Sequence, residues 1–463
     1  MLHTKDMNQY SVVDPKCRIF EISDQLDKIS RHILDNLSIR LSEKNKYGEV
    51  FTPLSYINEL LDQLPSYVWH DSSLRWLEPS SGIGHFCVII YCRLMIGLAT
   101  EFPNRHIRHR HIIKNMLYMV EINQDNIDVT RDLFGSDANI ICADFLSHDI
   151  SVELFQNSVN IDIIIGNPPF QTPRDHARIS SKGGQILWDK FIRASLDILQ
   201  KKNGKNGMFE RFLCFITPPG WRKPYHQLWP LMTTGNNSLL FIHNINKKTA
   251  ITQMQVQQHM DLFIVKCRIN NTVVASSPQP DEVDSCTFIS DDLSVYNNIQ
   301  PRDWPFLPNG EFDAIKRILD TKPDPSRVIY DRMAYGSDTK HMSSTFIPGE
   351  FIYPVVHTMT KRGLGIWYSN TNTRGHFGIP KVILNFNEKL YPYLDISGEY
   401  GMGQFSFGLP VTSVAQGESI IRILKSPGFS KIIKATKWGA YQTDRRMFEY
   451  LKLSDVQIDL NIS

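Results

Sequence analysis

The chain has no excess charge of either sign: 50 Lys and Arg stand against 48 Asp and Glu, a net charge of +2. A polyelectrolyte is thereby excluded, while a nucleic-acid partner is neither required nor ruled out. Cysteine is sparse, with seven residues at positions 17, 87, 92, 142, 214, 267 and 286 and no CxxC pair. That excludes a disulfide scaffold and reads as reduced thiols. No apolar run approaches the roughly 18 residues that a membrane span needs. The N-terminal MLHTKDMNQY lacks the basic-then-apolar pattern of a secretory signal, so a cytoplasmic protein is expected. There is no internal repeat.

What is present is ordinary for a globular protein, with 42% hydrophobic and 21% charged residues over a length that suggests two to four domains. Residues 1–45 form a polar, weakly helical leader with Ile19, Ile22, Leu26, Ile29, Ile33 and Leu37 at helical spacing. From 46 to 270, short β-branched runs alternate with amphipathic segments. Strands are expected at 74–77, 116–121, 138–143, 161–166, 211–217, 238–245 and 260–269, the last antiparallel, with helices at 86–98, 124–133 and 186–199. This alternation predicts an α/β fold, a seven-stranded sheet covered by helices on both faces. The basic RHIRHRHIIK (105–114) reads as a solvated loop. Residues 271–304, rich in Pro, Asn and Ser, read as a linker, and 305–463 as an α+β domain. From Thr321 onward there are 17 Lys and Arg against 12 Asp and Glu, a surplus of five.

Chemistry concentrates at the expected strand ends. LEPSSGIGHF (77–86) places Gly82 and Gly84 where backbone can pass close to a ligand, but Phe86 occupies the third-glycine region of a dinucleotide motif. Glu78 favours a cationic ligand over a phosphate. Glu121 in MVEIN (119–123) is placed to accept ribose hydroxyls, or is simply a surface carboxylate. Asp144 in ADFL (143–146) can accept from an adenine amino group with Phe145 against its ring, or cap a helix. In IIIGNPPFQ (163–171) the two prolines, Pro168 and Pro169, keep a carbonyl out of regular structure. The amide oxygen of Asn167 and the carbonyl of Pro168 can then accept together from one planar amino group, with Phe170 as a stacking face.

The ordered series GEVFTP (48–53), EPSSGIGHF, VEIN, ADFL, GNPPF and FITPPGW (215–221) resembles the N-6 adenine-specific DNA methyltransferases of restriction-modification systems with the gamma-type motif order. The resemblance spans about residues 46–270. It implies a Rossmann-like seven-stranded methyltransferase sheet followed by a C-terminal α+β target-recognition domain. S-adenosyl-L-methionine would be held by Phe51, Thr52, Pro53, Glu78, Pro79, Ser80, Gly82, Gly84, Glu121, Ile122, Asp144, Phe145 and Asn167. Catalysis would rest on Asn167, Pro168, Pro169 and Phe170, with no metal. Many relatives have Ala at the position of Ser81 and Tyr at that of Phe170. Double-stranded DNA is the implied partner, with a companion restriction endonuclease as a candidate. A built-in nuclease is not expected, since no cluster of two acids and a Lys is present and the leader is short. The same Asn-Pro-Pro-aromatic motif also serves methylation of RNA or of protein glutamine, and an inactive DNA-reading module is a further alternative. Lys361, Arg362, Arg374, Arg445 and Arg446 are the candidate DNA contacts.

Overall fold

The computed structural model describes residues 17–22, 52–147, 160–172, 185–201, 208–270, 284–331, 340–439 and 443–453. The chain forms two compact units. One comprises Met1–Trp221 and Pro230–Pro301, the other Arg222–Trp229 and Arg302–Ser463.

The first unit is built on a nine-stranded sheet. In chain order its strands are β1 (Trp76–Glu78), β2 (Leu117–Glu121), β3 (Asn139–Cys142), β4 (Ile163–Gly166), β5 (Met208–Thr217), β6 (Asn237–Ile245), β7 (Met260–Asn270), β8 (Cys286–Ile289) and β9 (Val295–Ile299). Their spatial order is β3-β2-β1-β4-β5-β7-β6-β8-β9. β1 to β5 pair in parallel, and β7 runs antiparallel between β5 and β6. The first seven strands are thus the doubly wound sheet expected. Because β1 pairs with both β2 and β4, the winding reverses beside it, which leaves a crevice at the carboxyl ends of these strands.

The local sequence accounts for these elements. β4, IIIG, is buried at every position, as a strand covered on both faces requires. The helix His85–Gly97 is apolar nearly all round and lies within the core, with Val88, Ile90, Tyr91 and Leu94 at most 1% exposed. The amphipathic helix Gln124–Phe134 is capped by Asn123, whose side chain accepts from the Asp125 N–H, and ends at Gly135 with φ of +89°.

Two expectations are corrected. The sheet has nine strands rather than seven, because the supposed linker contributes an edge hairpin: β8 pairs in parallel with β6, and β9 antiparallel with β8. Cys286 and Phe288 alternate inward along β8 and supply the burial that the polar composition concealed. The basic-histidine run is not a loop but the helix Arg105–His111, continued by a wider π turn, Ile112–Met116. Asn104 caps it by accepting from the His106 and Ile107 N–H groups. His109, Ile112, Ile113 and Met116 then fall inward at three- to four-residue spacing. There His109 meets Tyr91 Oη at 2.8 Å and Cys17 Sγ at 3.6 Å, which fastens the helix Arg18–Ile22 onto this unit. The remaining leader residues lie outside those described.

The second unit is α+β. Its strands are β10 (Met342–Ser343), β11 (Tyr353–Thr360), β12 (Gly363–Ser369), β13 (Lys381–Asn385), β14 (Tyr393–Asp395), β15 (Gly401–Met402) and β16 (Ser406–Pro410). They form two sheets, β10-β12-β11-β15 and β14-β13-β16, accompanied by the helices Phe312–Ile318, Val414–Lys425 and Pro427–Ala435. The fully buried Arg222 guanidinium donates to the carbonyls of Leu307 and Pro308 and to Asn309 Oδ1, and Trp229 Nε1 donates to the Trp304 carbonyl. The short Arg222–Trp229 excursion is therefore a structural part of this unit. Among the described residues no helix is long and apolar enough to cross a membrane.

Candidate functional site

A cavity of about 320 Å³ opens at the carboxyl ends of β1 to β4, a size suited to a small-molecule ligand. β1 delivers Glu78 to its floor, 3% exposed, with Cys87 Sγ donating to Oε2 at 3.1 Å. Beyond β1 the backbone turns sharply. The Ser81 N–H donates to the Val120 carbonyl at 3.0 Å, and Gly82 adopts φ of +52°. A Cβ at Gly82 would meet nothing within 4 Å, so the missing side chain leaves open space beside a cavity-lining backbone. β2 ends in Glu121, whose carboxylate accepts from the Gly82 N–H at 2.7 Å and the Asn123 N–H at 2.8 Å. One acidic side chain thus ties together the two strand-end turns.

The electrostatics favour a cation. Burial drives the Glu78 carboxyl well above the usual carboxylate range, and the neighbouring Glu121 pushes it the same way. Burial also raises Glu121, against the opposing pull of its N–H donors. His85, at the start of the following helix, is pushed down to about 4 by burial and is neutral near pH 7. Two carboxyl groups in a largely apolar crevice gain most from a positively charged ligand, which restores the anionic form that burial disfavours.

The opposite wall comes from the Asn-Pro-Pro segment after β4. Asn167 Nδ2 donates to Thr52 Oγ1 at 3.0 Å, while its Oδ1 is buried and meets no donor among the described residues. Pro168 and Pro169 line the same cavity, and the Ser80 and Ser81 hydroxyls there also lack a partner among the described residues. Buried acceptors are nearly always satisfied in folded proteins, so this group marks a place for a ligand's donors.

Of the residues singled out from sequence, Thr52, Glu78, Pro79, Ser80, Gly82, Glu121, Ile122, Asp144, Asn167, Pro168 and Pro169 share this cavity. Asp144 Oδ1 is occupied locally by the Leu146 N–H at 3.0 Å. Four others stand back from the lining. Pro53 precedes the helix Leu54–Asp62 as its N-cap. Gly84, at φ of +87°, lets the chain pass Phe134, whose Cε2 would lie 3.1 Å from an added Cβ. Phe145 is buried and stacked on Phe191 at 5.3 Å, so Leu146 and Phe191 reach the cavity in its place. Phe170 packs its half-buried ring against the hydrophobic core. Phe51 lies outside the described residues. His85, Leu187 and Phe191 were missed. His85 directly follows the glycine pair, a signal that was available, whereas the helix bearing Phe191 reads from sequence only as amphipathic.

No family model matches the chain. A stretch of 119 residues, 25% of the chain, is 30% identical to a protein of Mycoplasma pneumoniae described as an uncharacterized adenine-specific methylase. The match spans 28% of that relative's length. Among solved structures, the type IIL restriction-modification enzyme MmeI in complex with DNA is similar with a TM-score of 0.53 at 11% identity, over 90% of this chain and 68% of that one. The chain has the same fold. A nuclease-deletion mutant of the type ISP restriction-modification enzyme LlaGI, in complex with a DNA substrate mimic, is similar with a TM-score of 0.51 at 11% identity, over 89% of this chain and 54% of that one. Both similarities therefore extend over both units and not over the nine-stranded sheet alone.

Proposed function

We propose that the protein is a site-specific DNA methyltransferase that transfers a methyl group from S-adenosyl-L-methionine to the N-6 amino group of a flipped-out adenine. The observation that carries this reading is Asn167: a buried amide held by Thr52 on its donor side and presenting an unsatisfied acceptor at a carboxylate-bearing cavity. An adenine amino group is a planar double donor and matches such an acceptor.

The residues fit the methyl donor. Glu78 suits its ammonium group, Glu121 its ribose hydroxyls, and the lone Ser80 and Ser81 hydroxyls its polar edges, while Ile122, Leu146 and Phe191 offer apolar faces to its adenine. When bound, S-adenosyl-L-methionine supplies an electrophilic methyl group. Asn167 Oδ1 and the Pro168 carbonyl each accept one N–H of the target amine, which turns the nitrogen lone pair away from the ring and toward the cavity. Thr52 prevents the amide from rotating. The proton displaced from nitrogen would be released to solvent water, because the Asn167 amide oxygen orients the amine but is too weak a base to keep a proton. Phe170 is the proposed stacking face for the extruded base, whose unstacking costs a few kcal/mol.

DNA is favoured over RNA or a protein glutamine because the fold similarity to MmeI and LlaGI, determined with DNA or a DNA mimic, includes the second unit. The test is methyl transfer from labelled S-adenosyl-L-methionine to duplex DNA, RNA and protein substrates. Label at N-6 of adenine in one DNA sequence context is expected. Label in RNA or glutamine, or none with the cofactor bound, overturns the reading.

A further inference from the structure

The second unit carries a hairpin that methyl transfer itself does not use. β15 flanks β11 only at Val355 and Val356, and β10 flanks β12 only at Tyr368 and Ser369. From His357 round to Gly365 the ladder is therefore a two-stranded ribbon among the described residues. One face is committed to the core, where Val356, Met359, Leu364 and Ile366 pack with Ile383 and Met402. The other bears His357 stacked on Trp367 at 4.3 Å, with the exposed Phe405 edge-on at 5.7 Å.

The tip is built to project. Thr360, Lys361, Arg362 and Gly363 are all exposed. Thr360 Oγ1 accepts from the Arg362 N–H at 3.2 Å and donates to the Gly363 carbonyl at 3.4 Å, and Gly363 holds φ of +123°. Gly365 is equally constrained, since a Cβ there would lie 2.3 Å from Thr358 Oγ1. Charge points the same way. No Asp or Glu occurs between Tyr353 and Ser369, and neither Lys361 nor Arg362 has a carboxylate partner among the described residues. Arg446, by contrast, is clamped by Asp444 at 2.9 and 2.5 Å, and Arg445 lies over the Tyr330 ring at 4.3 Å.

We propose that the Lys361–Arg362 tip enters the major groove of duplex DNA, where Arg362 reads a base edge and Lys361 contacts phosphate. A major groove about 12 Å wide admits a two-stranded ribbon, and the planar arginine fork matches the paired acceptors of guanine. The partly exposed His357–Trp367 stack lies behind the tip, and the ribbon itself carries no acidic residue to repel the backbone. The inference rests on the DNA reading above but concerns sequence choice rather than chemistry.

The test uses the full chain with duplex DNA. Binding is measured against salt concentration, and preferred sequences are recovered from a random duplex pool for wild type, Lys361→Ala, Arg362→Lys and the double variant Lys361→Ala/Arg362→Ala. The double variant is expected to lower the log–log salt slope by about one and to lose the preferred sequence, with melting temperature and S-adenosyl-L-methionine affinity unchanged. Arg362→Lys should keep the slope and lose discrimination at one base pair; Lys361→Ala should lower the slope by about one and keep the preference. Wild-type slope and preference in the double variant overturn the proposal, and retained preference in Arg362→Lys overturns its base-reading half. Wild-type protein that binds DNA through the tip yet transfers no methyl group would sink the enzymatic reading and leave the hairpin standing.

Discussion

Asn167 is committed on one side of its amide and open on the other, and that asymmetry gives it a separable role. Its donor is fixed on Thr52, so the amide orientation is set before a substrate arrives. Asn167→Ala removes the acceptor from the target amine and is expected to lower the transfer rate by about 10²–10³-fold or more. Cofactor affinity should stay within about tenfold, the worth of about one hydrogen bond. Single-turnover transfer beside equilibrium cofactor binding checks this, and comparable losses in both would move Asn167 into the cofactor site alone. Glu78 yields a pH prediction. Its carboxyl is raised in the ligand-free protein by burial and by Glu121, and a cationic ligand must lower it again. In the window above the ligand-bound pKa and below the ligand-free one, binding should release a proton, so affinity rises with pH and levels off once Glu78 is ionised beforehand. Stability taken alone is a poorer probe. The raised Glu78 stabilises the ligand-free fold below the unfolded-state pKa of a carboxyl, and that contribution is lost as pH rises through its folded value. His85, lowered to about 4, contributes stability above its unfolded pKa near 6.5 that is lost as pH falls between the two. Calorimetric titration in two buffers of different ionisation enthalpy isolates the Glu78 proton. A heat independent of buffer across the range, or an affinity independent of pH, would remove the coupling.

At the scale of elements, the second unit encloses an ion pair between two of its strands. Lys381 on β13 faces Asp395 on β14 directly across the ladder, 2.8 Å apart, and both side chains are almost wholly enclosed. Lys381 Nζ also donates to the carbonyls of His376 and Ile379, and Asp395 accepts from the Glu399 and Tyr400 N–H groups. Removing one partner of so buried a pair typically costs about 3–5 kcal/mol. Lys381→Ala should therefore destabilise the second unit by that order in a denaturant titration while cofactor affinity is retained; a change below about 1 kcal/mol would place the pair among ordinary surface bridges. Nothing in the sequence announces this contact, because a Lys and an Asp fourteen residues apart are unremarkable until strand register places them opposite. The parallel strands were legible for the opposite reason: IIIG before Asn167 is apolar without interruption, which only a doubly covered strand tolerates. β8 and the helix Arg105–His111 were obscured by their own composition. The first is four residues among turn formers, and the second carries its helical period in histidines that read as polar. Within the site, the strand ends bring Glu78, Glu121 and Asn167 to one cavity, the first two as the last residues of β1 and β2 and Asn167 just after β4. Phe145 lies in a turn after β3 whose phase no periodicity sets, and one residue of difference there exchanges the cavity for the core.

The whole molecule is not two units laid end to end along the chain. Arg222–Trp229 leaves the nine-stranded unit after Trp221, contributes to the second, and returns at Pro230. Reading the sequence as a catalytic domain to 270 followed by a linker hides this, since the excursion begins one residue after the FITPPGW motif. Among its side chains, Arg222 and Leu228 are fully buried and Trp229 is 6% exposed, while Tyr225 and Gln227 remain exposed. A protein truncated after residue 301 would keep every strand of the nine-stranded sheet and the whole cavity, but would strip the partners from this excursion. Exposing buried apolar side chains costs about 1.5–3 kcal/mol each, yet that loss belongs to contacts made inside the deleted unit. The consequence should fall on solubility rather than on the cohesion of the remaining sheet, because Leu228 and Trp229, adjacent in the chain and buried in the intact protein, are left in water and promote association. The truncated protein is therefore expected to bind S-adenosyl-L-methionine with near wild-type affinity while self-associating. Replacing residues 222–229 in it with a Gly/Ser linker should restore a single monodisperse species without changing that affinity. Analytical ultracentrifugation of both truncated proteins, beside cofactor titration, decides the matter. If the unreplaced truncation is already monodisperse, the excursion is dispensable packing; if neither protein binds the cofactor, the nine-stranded unit depends on the second for its fold.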